Sequence, residues 1–75
     1  MKVYIVLRNY NYELEVHGVY SSLELAVANA QSRSMLIEEQ VLDENKTTAK
    51  YWPKDVYHQD GGTTYEYNKR DEVKQ

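Results

Sequence analysis

The first twenty residues, MKVYIVLRNYNYELEVHGVY, constrain the fold more than any other part of the chain. KVYIVLR is rich in β-branched and aromatic residues, with Val3, Ile5 and Leu7 on one side and Tyr4 and Val6 on the other. Apolar residues on both sides describe an inner strand that is covered, at least in part, on each face. Asn9 to Asn11 reads as a turn, because asparagine tolerates left-handed backbone. YELEVHGVY then alternates: Tyr12, Leu14 and Val16 face one way, and Glu13, Glu15 and His17 the other. The pattern is that of a half-buried strand, and with the first it makes a hairpin.

A corner follows. Ser21 and Glu24 have the S-x-x-E spacing of a capping box, with Tyr20 and Leu25 at the two positions of a hydrophobic staple. Gly18 sits at the strand end just before it, where a bulge or a close backbone approach is its usual role. Beyond the corner, Leu23, Ala26, Val27, Ala30, Ser34, Ile37 and Val41 recur at threes and fours, the spacing of one buried helix face. The polar break DENKTT, Asp43 to Thr48, predicts a helix end between Gln40 and Lys46. AKYWPKDVYHQ and TTYEYNKR then flank Asp60-Gly61-Gly62, a second hairpin signal. Pro53 cannot donate to a ladder and marks an edge or a bulge.

The expected fold is α+β: a small antiparallel sheet with one helix on one face, in the order β-β-α-β-β. Seventy-five residues make one domain, expected over residues 1–70 with a frayed tail at 71–75. The chain has no cysteine, so neither disulfides nor a thiolate zinc site support the core, in keeping with a reducing cytoplasm. Val3 to Leu7 is too short an apolar run for a signal peptide or a membrane span.

VYIV followed by HGVYSSLELAVANA resembles a group of short phage and bacterial proteins of unknown function. In that group a Val-Tyr strand precedes a Gly-Val-Tyr/Phe-Ser corner, an acidic residue and an Ala-rich helix. The resemblance covers residues 3 to 30. It implies the ββα start and a phage or bacterial setting, hence the host cytoplasm for a phage-encoded chain. It implies no catalytic or ligand residue.

The chemistry-bearing patterns are sparse. Gly18, Ser21 and Ser22 lack the glycines and the lysine of a phosphate loop, so they read as a corner. His17 and His58, with Glu15 and Asp60 nearby in sequence, have no spacing that makes ligands converge, and neither a metal nor a cofactor is expected. There is no nucleophile elbow and no framed pair of carboxylates, so the chain reads as non-enzymatic. A net charge of −3 tells against nucleic acid and anionic membranes.

Eight tyrosines, one tryptophan and no phenylalanine point instead to an interface. The expected binding face is the one without the helix, formed by Tyr4, Val6, Tyr57, Tyr65 and Tyr67 and rimmed by Glu13, Glu15 and His17. Its expected partner is a host or phage protein that the chain modulates, with a homodimer as the bland alternative. A single-stranded nucleic-acid binder that stacks bases on tyrosine, and a small-ligand binder in a dimer groove, remain as other readings. On this placement Tyr4→Lys abolishes partner binding and leaves the fold nearly intact. An unfolded variant would mean that the two faces are reversed.

Overall fold

The computed structural model describes residues 1–44 and 46–70, so the expected frayed tail lies outside the described residues. Strands β1 (Lys2–Tyr10) and β2 (Glu13–Tyr20) form the first hairpin, and helix α1 (Leu23–Ala28) follows. Strands β3 (Met35–Val41), β4 (Lys46–Tyr57) and β5 (Thr63–Arg70) complete the chain. All pairings are antiparallel, in the spatial order β2-β1-β3-β4-β5.

Both expected hairpins form. Asn11 and Tyr12 have φ of 51° and 67°, the double positive φ that a tight turn between twisted strands requires. At the other hairpin, Gly61 has φ 90° and the Gly62 amide donates to Asp60 Oδ1 at 2.9 Å. The β1–β2 register slips between Val6 and Leu7, opposite Gly18 and Val16, which makes His17 the extra residue of a bulge. A Cβ on Gly18 would lie 2.6 Å from the Tyr20 hydroxyl, so that ring packs where only glycine leaves room.

The helix is much shorter than expected. Its N-cap is Ser22, one residue later than the capping-box reading, and Ser22 Oγ accepts from the Leu25 amide at 3.2 Å. It stops at Ala28, where the Asn29 and Gln31 side chains donate to the carbonyls of Leu25 and Val27. Residues 35–41, expected to continue the helix, form central strand β3 instead, so the order is β-β-α-β-β-β. Met, Leu, Glu and Gln are good helix formers, but pairing with β1 and β4 on both flanks outweighs a preference of a few tenths of a kcal/mol per residue. Of the DENKTT segment, Asp43, at φ 70°, and Glu44 lie in a turn after β3, and Lys46 to Thr48 open β4.

The core lies between sheet and helix. Val6 and Ile37 face each other across β1 and β3, and both are buried with Ala26 and Ala30. The alanines let α1 lie close on the strands. Helix α1 also touches both edge strands, β2 and β5. In a flat sheet those edges would be about 19 Å apart, against about 10–12 Å for a helix with its side chains, so the sheet curls around the helix.

Two contacts tie β5 to the segment after α1. The Gln31 amide pairs with both backbone groups of Tyr65, at 3.1 and 3.0 Å, and so blocks that part of the β5 edge. The Tyr67 hydroxyl donates to the Ala30 carbonyl at 2.5 Å, with the Met35 and Ser32 carbonyls at 3.0 and 3.2 Å. Burial, followed by the influence of Tyr65, pushes the Tyr67 phenol up to about 12. Tyr67→Phe leaves the Ala30 carbonyl without this donor and is expected to cost about 1–2 kcal/mol in chemical denaturation. Because the folded-state value is raised, the phenol stabilises fully below its ordinary 10.0 and less as pH rises toward 12. The gap between wild type and Tyr67→Phe is expected to close over that alkaline range.

Candidate interaction face

The register assigns every strand residue to one side of the sheet. Tyr4, Val6, Tyr20, Ile37, Glu39, Ala49, Tyr51 and Tyr67 lie on the helix side. Val3, Ile5, Leu7, Leu14, Val16, Val19, Leu36 and Trp52 lie on the other. The expected binding residues do share a side, but it is the side that α1 occupies. Val6 is fully buried beneath the helix, and Tyr4 and Tyr67 pack against the same cluster. Tyr57 and Tyr65 follow Tyr51 and Tyr67 on that side, Tyr57 exposed and Tyr65 half-buried.

Glu13 and Glu15 sit opposite Tyr10 and Arg8, also toward the helix side but at the hairpin end, exposed to water. His17 is exposed in the bulge. The reason for the reversal is topological. β2 and β3 both run antiparallel to β1, so β2–α1–β3 is a crossover between parallel strands. The twist of the strands decides on which side such a crossover packs.

The helix side is chemically saturated. Glu39 is buried on β3, accepting from Thr48 Oγ1 at 2.8 Å and Tyr51 Oη at 3.3 Å, with Lys2 Nζ at 3.3 Å. Burial alone would raise this carboxyl, but hydrogen bonds from Thr48, Lys2 and Tyr4, together with the Lys2 charge, hold it below its ordinary value. At the far end, Asp55 accepts from Arg33 and from Tyr57 Oη, and both bonds lower its carboxyl. No buried side-chain polar atom lacks a partner among the described residues. His58 Nε2 lies 2.9 Å from Thr64 Oγ1, on the opposite flank of the sheet from His17. No cluster of three or more potential metal ligands occurs among the described residues.

The other side is apolar and open along β1 and β2, and polar across β3 and β4, where Glu38 joins Gln40, Thr47 and Lys50. Leu14, Val16 and Val19 on β2 are 55%, 64% and 58% exposed, beside half-buried Val3, Ile5 and Leu7 on β1. β3 stops pairing with β4 at Ile37 and Tyr51, which leaves one flank of β4 unpaired near Pro53, where a residue without an N–H fits. A groove of about 570 Å³ opens there, lined by Asn9, Tyr12, Leu14, Leu36, Trp52 and Pro53 among others. A second depression of about 300 Å³ flanks the same tryptophan. Trp52, whose side the sequence left unassigned, lines both depressions. Tyr12 stands at the groove fully exposed, in a positive-φ turn position where glycine would be less strained.

With this geometry in view, the sequence matches over residues 1–73 a family described as a domain of unknown function, DUF7336. The chain belongs to the DUF7336 family. Comparison with curated proteins and with solved structures finds no match. In this DUF7336 chain no described helix is long and apolar enough to cross a membrane.

Glu39→Gln keeps the shape of the network and removes its charge, and is expected to cost about 1 kcal/mol at neutral pH. Because the folded-state value is depressed, the carboxylate's contribution is present above the unfolded value, about 4.3, and lost as pH falls through and below it. Thermal melts of the two proteins are therefore expected to separate at pH 7 and to draw together as pH falls below the unfolded value.

Proposed function

We propose that this chain is a non-enzymatic protein-binding module whose recognition surface is the helix-free face of its sheet. The observation that carries the reading is the exposure of Leu14, Val16 and Val19 next to β1 and the groove at Trp52. A contiguous apolar surface of this kind on a small domain is characteristic of a site that another protein covers. The aromatic anchor in the groove, with apolar residues around it, has the composition of an interface centre.

Within this proposal the module is a phage accessory protein in the host cytoplasm, a reading supported by the resemblance of residues 3 to 30 to short phage and bacterial proteins. There it modulates a host or phage protein. The saturated helix side supports a structural role for Tyr4, Val6 and Tyr67. Base stacking is disfavoured by the chain's net charge of −3, which gives phosphate neutralisation little to draw on.

The test is affinity capture from bacterial cytosol, with and without nuclease, comparing wild type with Val16→Lys and Tyr4→Lys. Val16→Lys is expected to retain the wild-type circular dichroism spectrum and lose the captured protein in both arms. Tyr4→Lys is expected to lose stability, because its ring packs on the core and its hydroxyl bonds Glu39. Capture unchanged by a folded Val16→Lys protein would remove the open face from the mechanism.

A further inference from the structure

Resting on the open-face reading, we propose that the groove at Trp52 takes an extended segment of the partner polypeptide, which adds to the open flank of β4 as a further strand. The site begins at Pro53. Continued past Ile37 and Tyr51, the β3–β4 register would set Met35 opposite Pro53, but proline has no N–H to give it. The Met35 carbonyl takes the Tyr67 hydroxyl instead, at 3.0 Å, and the Met35 amide donates to the Ser32 carbonyl at 3.2 Å. The chain before β3 accordingly lies on the helix side, where the Ala30 and Ser32 carbonyls meet the same hydroxyl. From Pro53 to Tyr57, β4 runs on paired with β5 and not with β3.

The ladder shows what this flank offers. The His58 amide donates to the Gly62 carbonyl at 2.9 Å, in register with the β4–β5 pairing. Backbone groups alternate along an antiparallel pair, so Val56, Lys54 and Trp52 also turn theirs toward β5. Pro53, Asp55 and Tyr57 turn theirs the other way. Among the described residues, the Asp55 and Tyr57 backbones make no hydrogen bond on that flank.

That row of donors and acceptors selects its occupant, because an extended backbone presents the complementary groups at the same spacing. The outer edges of the sheet are guarded. Gln31 blocks β5 at Tyr65, and β2 carries the bulge at His17 and the exposed Glu13 and Glu15. On the β4 flank the one carboxylate, Asp55, is already held by Arg33 and Tyr57. Neighbouring strands lie about 4.8 Å apart, so where β3 ends between β1 and β4 the space is one strand wide. An added strand sends alternate side chains to the helix-free side. There the groove of about 570 Å³ receives them, with Tyr12 and Leu14 contributed by the first hairpin and Trp52 by β4. The main chain supplies affinity and an apolar side chain in the groove supplies specificity.

The probe is a displayed library of random short peptides without tryptophan, selected on the wild-type protein. Enriched peptides are expected to share an apolar residue at one position and to shift the emission of Trp52, the chain's single tryptophan. Methylating the peptide amides one at a time is expected to weaken binding about tenfold at every second position and little between them, the period of a paired strand. Asp55→Pro deletes an N–H of the flank, whereas Asp55→Ala loses the same carboxylate and keeps the N–H. The alanine variant is expected to bind the peptides about as well as wild type, and the proline variant about tenfold more weakly.

A selection that enriches no peptide overturns the proposal. So do peptides whose amides can all be methylated without loss, since side chains alone then hold them, and so does a folded Asp55→Pro protein that binds as tightly as Asp55→Ala. Should Asp55→Pro fail to fold, the methylation scan decides without it. If the proposal is overturned while Val16→Lys still loses capture of a cytosolic protein, the extended segment is wrong and the open-face reading stands. If that capture is also unchanged, both fail.

Discussion

Val6 and Ile37, directly opposite each other on neighbouring strands, hold the two halves of this chain together. β1 belongs to the N-terminal hairpin and β3 opens the three-stranded C-terminal part, so their pairing joins the two into one sheet. Ala26 and Ala30 close over that pair from above. A six-residue helix has no stability of its own in water, and α1 exists because the Val6–Ile37 patch gives its small face something to pack on. Tyr67 and Gln31, reaching from β5 to the segment after the helix and back again, secure the far edge of the curled sheet to the same point.

This arrangement divides the molecule's chemistry unevenly. On the helix side every buried side-chain polar atom among the described residues has a partner, from Glu39 between Thr48, Tyr51 and Lys2 to Tyr67 among three carbonyls. Such networks resist change, because each member removed leaves another unsatisfied. The opposite side carries few hydrogen-bonding side chains near β1 and β2 and a groove at Trp52. The open hydrophobic residues of β1 and β2 thus lie across the sheet from the buried Glu39 network. That arrangement is what supports the proposed recognition surface.

The hairpins were legible because their signals are local. Asn11 and Gly61 mark positive-φ turns, and alternation along β2 needs no tertiary partner to be read. The helix start was legible to within one residue, since Ser21 and Ser22 are both competent caps and only packing selects Ser22. Residues 34–41 were not legible. Ser34, Ile37 and Val41 fit a helix stripe, while Met35, Ile37 and Glu39 fit one face of a strand, and the residue types favour the helix. Glu39 hid the strand further, because a carboxylate at an inward position is readable only once Lys2, Thr48 and Tyr51 are known to surround it.

From its residues alone, the chain's hairpins, its corner and the sets of side chains that share a face were determined, because a period of two and a turn are properties of neighbouring residues. Tyr4 and Val6 on β1, and Leu14 and Val16 on β2, were each paired on those grounds. Which face the helix would cover was decided only by the tertiary structure. Alternation is symmetric with respect to the two sides of a sheet. The choice between them comes from inserting β3 beside β1 and from the twist that directs the β2–α1–β3 crossover. That choice buried Val6, packed Tyr4 and Tyr67 against the core, and left Leu14, Val16 and Trp52 on the other side.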